Sequence, residues 1–277
     1  MSRVFDALRK AGSDFVVREF ASSAPPIDHV EPSFSLAAVP SMTMLSSRET
    51  RIVFQSDPGG PAAERYRLMR LRLRALHRNT GVKALLLTSP EPCAGKSTVA
   101  LNLAAALAEK GDSNVLLLEG DLRRPSLAQE LGFELPFGLT QCEHNDAGIL
   151  SVIRRIEPLG FYLLPAGEAS DNPGEILSSE WFSKMIKKLQ SSFDWMLIDS
   201  PPVIPIVDTA SIKDSADAIL LVARAGQTQQ PAIDEALRVL GTDRLLGIVL
   251  NGVEGLDRGH YEYYKSYTSR ASNADKS

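Results

Sequence analysis

The sequence has 277 residues, with 30 Lys and Arg against 34 Asp and Glu, and 44% hydrophobic and 23% charged residues. These are ordinary globular proportions, which exclude wholesale disorder, and a net charge of −4 gives no global reason to expect a nucleic-acid partner. Two cysteines, Cys93 and Cys142, cannot build a disulfide framework, and the longest apolar runs are strand-sized. With Asp6 standing where a signal peptide needs an apolar run, the expectation is a soluble, cytoplasmic protein.

Residues 1 to about 12 place Val4, Phe5, Leu8 and Ala11 near helical spacing, which reads either as a frayed terminus or as a docking helix. Residues about 20–60 are rich in Ser and Pro, end in Asp57-Pro-Gly-Gly-Pro61, and read as a linker. A helix is expected over Ala62 to Arg78, where six arginines interleave with Leu68, Met69, Leu71, Leu73 and Leu76. That is more positive charge than solubility requires.

Beyond this helix the chain alternates strand and helix. Apolar runs at 84–88, 115–118, 161–164, 195–198, 218–223 and 246–250 are separated by helical patterns, notably 96–110, 180–190 and 231–240. Buried strands joined by crossovers of this length predict an α/β fold, a mostly parallel sheet with helices on both faces. No fixed-period internal repeat is visible.

The strongest motif is Thr88-Ser-Pro-Glu-Pro-Cys-Ala-Gly-Lys-Ser-Thr98, after a strand and opening a helix. Gly95-Lys96-Ser97 is the core of a phosphate-binding loop. Such a loop turns its backbone N–H groups and the helix dipole toward phosphate, here along Pro92, Cys93, Ala94, Gly95, Lys96, Ser97 and Thr98. Lys96 can bridge the β- and γ-phosphates of ATP and the Ser97 hydroxyl can ligate Mg²⁺. Pro90 and Cys93 occupy positions where glycine is usual, so a costly positive φ is expected to reshape the loop. Cys93 reads either as a reactive thiol near a helix start or as a small residue that fits.

Two further strand ends carry acids. Leu118-Glu-Gly-Asp-Leu-Arg-Arg-Pro125 presents Glu119 and Asp121 toward the ligand crevice of an open α/β sheet. Asp194-Trp-Met-Leu-Ile-Asp-Ser-Pro-Pro202 ends a strand in Asp199, the shape of a Walker B carboxylate. The Mg²⁺ ligands expected are therefore Ser97, Asp121 and Asp199. Asn251 reads either as an amide for the adenine edge or as a turn residue before Gly252. Near the end, Tyr261, Tyr263, Tyr264 and Tyr267 fall within seven residues, among polar neighbours that cannot bury them together. They read as phosphoacceptors, or as rings packed on the domain or a partner.

Taken together, Glu64-x-x-Arg67-x-x-Arg70, the Gly95-Lys96-Ser97 loop, Glu119-x-Asp121-x-Arg123, Leu164-Pro-Ala-Gly167, Asn172-Pro-Gly-Glu175, Asp199-Ser-Pro-Pro202 and the tyrosine cluster resemble the bacterial tyrosine kinases of capsule and exopolysaccharide assembly, in their stand-alone form. The resemblance covers about 60–270. It implies a phosphate-loop fold of the MinD/ParA type and an ATP- and Mg²⁺-dependent autokinase. It divides the chain into a helix and linker over 1–60, a kinase domain over 61–255 and a tyrosine-rich tail over 256–277. It also implies ring oligomers through Glu64, Arg67 and Arg70, a membrane chain-length-determinant protein as activator, peripheral membrane association through it, and a cognate tyrosine phosphatase. The family's first acid in the second motif is usually Asp, where this sequence has Glu119.

A phenol of pKa about 10 is about one part in a thousand ionised near pH 7, so a carboxylate base is useful. The sequence assigns Asp121 to metal and charge organisation and Glu119 a place nearer the acceptor. Arg123 is expected to stabilise charge in its own or a neighbour's site, or to pair with an acid across an interface. Two other readings share these motifs: a surface ATPase of the partitioning or cell-division kind, and a binding module without catalysis. The first carries a second lysine early in the loop, where this chain has Glu91.

Overall fold

The computed structural model describes residues 36–44, 50–143, 146–204 and 208–253. The helix expected over 1–12 and the tyrosine cluster lie outside these residues. Eight strands form one sheet: β1 (Ser41–Thr43), β2 (Ala84–Thr88), β3 (Val115–Glu119), β4 (Arg154–Glu157), β5 (Phe161–Leu164), β6 (Trp195–Asp199), β7 (Ala218–Arg224) and β8 (Leu245–Asn251). Their spatial order is β1-β4-β5-β3-β6-β2-β7-β8, and the β4–β5 pair alone among these is antiparallel. The helices are α1 (Val53–Ser56), α2 (Pro61–Thr80), α3 (Lys96–Ala108), α4 (Leu127–Glu130), α5 (Asp146–Val152), α6 (Pro173–Ser178), α7 (Glu180–Ser192), α8 (Asp208–Ile212) and α9 (Gln230–Leu240).

Alternating side chains give the sheet two apolar faces. Leu86, Leu116, Leu118 and Ile198 face one way and pack with Phe182, Ile186 and Leu189 of α7 and Ala236 of α9. Leu85, Leu87, Leu117 and Leu197 face the other way and pack with Val99, Leu103 and Leu107 of α3 and Leu73 and Leu76 of α2. Helix α3 is apolar all round, and eleven of its thirteen residues are buried. A helix with this composition has to lie beneath others; α2 is what covers it. Pro61 at its first turn and Gly81 in the left-handed conformation at its end delimit α2.

Much of the arginine excess in α2 serves that packing. Arg67 Nε lies 2.8 and 3.0 Å from the two carboxylate oxygens of Glu109, just past α3, and its NH1 meets Glu64 at 2.6 Å. Arg70, 6% exposed, donates from NH1 to the Ala106 carbonyl (2.8 Å) and to Glu109 (2.6 Å). The two guanidiniums hold the Glu109 carboxyl below its ordinary range, against its partial burial. Arg70 also satisfies the Ala106 carbonyl, and both charges suit the dipole at the C-terminal end of α3. Arg67 and Arg70, read from the sequence as oligomer contacts, are thus engaged on Glu109 within the chain. Leu68 and Leu71, at 50% and 60% exposure, form the outward face of α2 instead.

Part of the expected linker is also built into the fold. β1 pairs in parallel with β4, and the 51–53 segment is fastened to α3 by the buried Asn102. The Asn102 Oδ1 accepts from Val53 N (2.7 Å), while Nδ2 donates to the carbonyls of Arg51 (3.0 Å) and Thr98 (2.8 Å).

Removing the Arg70 guanidinium leaves the Ala106 carbonyl unpaired in the α2–α3 seam. Arg70→Ala is expected to cost about 1.5–3 kcal/mol, read as a lower urea midpoint at protein concentrations where the chain is monomeric. An unchanged midpoint would contradict the intramolecular role.

Candidate active site

The C-terminal ends of β2, β3 and β6 lie side by side, and the loop from β2 into α3 crosses above them. Cys93 takes φ 63° and Gly95 φ 86°. Cys93 thus keeps a positive φ without being glycine, at a cost on the order of 1–3 kcal/mol. Pro92 and Cys93 are exposed and Ala94 is buried.

Lys96, the first residue of α3, extends its Nζ to 3.3 Å from Asp121 Oδ2, 3.7 Å from Asp199 Oδ2 and 3.2 Å from Ser97 Oγ. The Ser97 hydroxyl donates to Asp199 Oδ2 at 2.7 Å. Asp199 Oδ1 is buried and, among the described residues, without a hydrogen-bond partner. Burial pushes the Asp199 carboxyl up to about 7, with Lys96 and Ser97 opposing. Burial works against the charge on Lys96, but Asp199 and Asp121 outweigh it and its pKa is raised. Three expected residues, Lys96, Asp121 and Asp199, therefore converge as one charge cluster, with Ser97 bound into it.

Glu119 is held by backbone amides. At 1% exposure it accepts from the backbone N–H groups of Ser126 and Leu127 through Oε1 (both 2.6 Å) and of Ala166 through Oε2 (3.0 Å). Burial raises its pKa, and the three amides oppose that rise. With both oxygens bound to backbone, it ties the segments at 126–127 and 166 to the end of β3. Asp121 Oδ1 accepts from Arg124 N (3.2 Å), and its Oδ2 faces Lys96.

Arg123 pairs within its own chain. Its Nε and NH2 meet the two oxygens of Asp208 at 2.7 and 3.1 Å, and Asp208 is 4% exposed at the start of α8. Asn251 Nδ2 donates to the Ala94 carbonyl (3.0 Å) and Oδ1 accepts from Gly252 N (2.9 Å), as the turn reading expects. The amide is engaged on the phosphate loop.

The sequence reading missed Asp208, Glu109, Arg224 and Glu130. Burial pushes the Glu130 carboxyl up, opposed by Arg51, by Lys96 and by a hydrogen bond from Thr98. Asp208 starts a helix shortly after β6, a signal that names a cap but not the partner it holds.

The donor set suits a nucleotide with Mg²⁺. The unpartnered Asp199 oxygen beside the Ser97 hydroxyl offers a hard oxygen ligand. Among the described residues no group of three or more His, Cys, Asp or Glu is placed to hold a metal ion. Mg²⁺ here would take most of its ligands from phosphate and water. Lys96 is held where a triphosphate would displace its carboxylate partners.

A family profile described as adenylylsulphate kinase matches residues 82–137, the segment around the phosphate loop. The Bacillus subtilis protein named tyrosine-protein kinase YwqD is 28% identical over 221 residues, covering 79% of this chain and 93% of that protein. The Streptococcus agalactiae serotype III protein named tyrosine-protein kinase CpsD is 30% identical over 174 residues, 62% of this chain and 75% of that one. Several longer curated relatives are matched over 27–31% of their length. The solved kinase domain of the Escherichia coli tyrosine kinase ETK superposes with a TM-score of 0.67 at 26% identity, over 83% of this chain and 94% of that one. The fold reaches beyond kinases: the Pyrococcus furiosus cell-division ATPase MinD shares it at a TM-score of 0.52 and 28% identity, over 61% and 71% of the two chains.

The folded-state pKa of Asp199 lies above its ordinary 3.8, so its protonated form favours folding. That contribution is complete below about pH 4 and is lost as pH rises through 7. Asp199→Asn, which imitates the protonated form, is expected to melt a few degrees above the wild type at pH 8 without nucleotide. The advantage should shrink at pH 5 and vanish only below about pH 4, the ordinary carboxylate value. Parallel melting curves at both pH values would contradict an uncompensated buried charge.

Proposed function

This chain belongs to the bacterial tyrosine kinases, and from that premise we propose that it transfers the γ-phosphoryl group of MgATP to tyrosines of its own C-terminal segment. The domain that does so is 61–255, preceded by the 1–60 segment and followed by the tyrosine-rich 256–277. The observation that carries the reading is the cluster of Lys96, Ser97, Asp121 and Asp199 beneath a positive-φ loop, in a chain with four tyrosines crowded at 261–267.

Each residue has a definite task in this scheme. The loop amides from 92 to 98 cradle the phosphates, and Lys96 moves from its two carboxylates to the β- and γ-phosphates. Ser97, Asp199 and Asp121 would hold Mg²⁺, which would supply charge neutralisation at the transferring group. Asp121, the carboxylate nearest Lys96, accepts the phenol proton, or organises charge as the phenol attacks. Arg123, held by Asp208, borders the same crevice and steadies charge there. Glu119 acts indirectly, by holding the loops at 126–127 and 166 against the end of β3.

The same reading places the chain in capsule or exopolysaccharide production. A membrane chain-length-determinant protein would activate it and recruit it to the inner face of the membrane, and a cognate phosphatase would reset it. Self-association would use the outer face of α2, where Leu68 and Leu71 are exposed beside Glu64. Crowding phosphotyrosines of about −1.5 to −2 charges each would oppose such an assembly.

Lys96→Met is expected to reduce autophosphorylation by at least about 10²-fold, and replacing Tyr261, Tyr263, Tyr264 and Tyr267 together by Phe to remove most of the label from ATP. The measurement is phosphopeptide mapping after incubation with labelled MgATP. Full labelling of the four-Phe variant would place the acceptors elsewhere, and full labelling of Lys96→Met would reject the site itself.

A further inference from the structure

Two residues outside the phosphate loop grip two successive carbonyls of it. Arg224 and Asn251 are the last residues of β7 and β8, and they are register partners in the sheet. Each therefore leaves its strand at the same level, beside the other. The Asn251 Nδ2 donates to the carbonyl of Ala94 at 3.0 Å, and Arg224 NH1 donates to the carbonyl of Cys93 at 3.4 Å. The Asn251 side chain and the Arg224 backbone are themselves fixed. The Asn251 Oδ1 accepts from Gly252 N (2.9 Å), and the backbone N–H of Arg224 donates to the Thr228 hydroxyl (2.9 Å). The Ala225 N–H donates to the Asn251 carbonyl (2.8 Å), which ties the two strand ends together.

We infer that Arg224 and Asn251 are positioning residues that set the peptide orientation of the phosphate loop. A trans peptide is planar, and its C=O and N–H point in opposite directions. Holding the Cys93 carbonyl outward turns the Ala94 N–H inward. Holding the Ala94 carbonyl outward does the same for the Gly95 N–H. Two adjacent amides are thereby aimed at the place where phosphate oxygens sit, before any nucleotide arrives.

The conformations at Cys93 and Gly95 agree with this. Cys93 is held at φ 63°, the one positive φ of a non-glycine residue among the described residues, and its carbonyl is the one Arg224 grips. A strained residue of this kind relaxes unless its surroundings fix it. At Gly95 a side chain would collide with the Asn251 amide nitrogen, so this glycine serves a close approach as well as its own φ of 86°. Glycine at 95 and asparagine at 251 are therefore one device, although 156 positions apart. The C-terminal ends of β7 and β8 reach across to the loop that leaves β2, and nucleotide affinity comes to depend on strands that supply no phosphate ligand.

This inference rests on the assignment of 92–98 as a phosphate cradle, and it separates cleanly from a base-reading role for Asn251. A residue that orients loop amides acts on every ligand with phosphates. A residue that reads adenine acts on ATP alone. The experiment is equilibrium binding of MgATP, MgGTP and inorganic tripolyphosphate to the full chain, to Asn251→Ala and to Arg224→Lys. Arg224→Lys keeps the charge and removes the guanidinium fork, and it serves as the independent variant should Asn251→Ala melt early. Loss of one such hydrogen bond is expected to weaken all three ligands alike, by roughly five- to tenfold, leaving the ATP-to-GTP ratio at the wild-type value. Weakening confined to ATP, or unchanged binding of tripolyphosphate in both variants, would overturn the clamp while leaving the nucleotide site intact. A wild-type chain that binds none of the three would overturn the phosphate-cradle reading, and the clamp with it.

Discussion

The structure depends on one confined charge problem. Lys96 stands at the start of an apolar helix, at the ends of three buried strands, and its ammonium is shared by Asp121 and Asp199. Two aspartates with one lysine leave a net negative charge in a place from which water is largely excluded, and Glu119 lies close by. Buried charge without full pairing is costly. The cost is visible at Asp199, whose carboxyl is pushed up by burial and whose Oδ1 has no partner among the described residues. The arrangement is relieved by a ligand that brings a divalent cation to the carboxylates and an anion to the lysine. MgATP carries both. Binding energy and stability are in this sense exchanged at the site: the Asp199 carboxyl, which folds better neutral, is placed to meet the ligand's cation.

The rest of the fold keeps that cluster in place. Helix α3 cannot shift because its apolar surface is enclosed by the sheet on one side and α2 on the other. The Arg67–Glu109–Arg70 group closes the far end of that seam. At the near end, the loop is gripped from β7 and β8, and the loops after β3 and β5 are tied to Glu119. Strand ends set the carboxylates, and helix packing sets the lysine. The loop between them has little freedom left.

How much of this the sequence discloses follows from the range of each signal. The six apolar strands between 84 and 251 and the helices over 96–108, 180–192 and 230–240 are local patterns, and each was legible to within a few residues. β4 was not, because Arg154-Arg-Ile-Glu157 is mostly polar at a strand paired antiparallel to β5, and no apolar run marks it. β1 is three residues within a Ser/Pro-rich stretch. The charged residues of the loop and strand ends were recognised because their spacing to Gly95 or to a strand end is local. The partners of side chains were not. Nothing near Arg70 announces Glu109, nothing near Arg123 announces Asp208, and nothing near Asn251 announces Ala94. Glu119 illustrates the difference. Its position beside Asp121 suggests chemistry, whereas its extra methylene carries the carboxylate to three backbone amides. Fold alone also leaves kinase and surface ATPase together; Glu91 in the loop and the crowded tyrosines are what separate them.

The central claim is that Lys96 is stored between Asp121 and Asp199 and released to phosphate. A crystal structure of the full chain with Mg²⁺ and a non-hydrolysable ATP analogue tests it directly. The account predicts Lys96 Nζ within hydrogen-bond distance of the β- and γ-phosphates and away from Asp121, with Asp199 Oδ1 bonded to the metal or to one of its waters. Lys96 still paired to both aspartates, with the triphosphate bound elsewhere or the Asp199 oxygen still unpartnered, would contradict it.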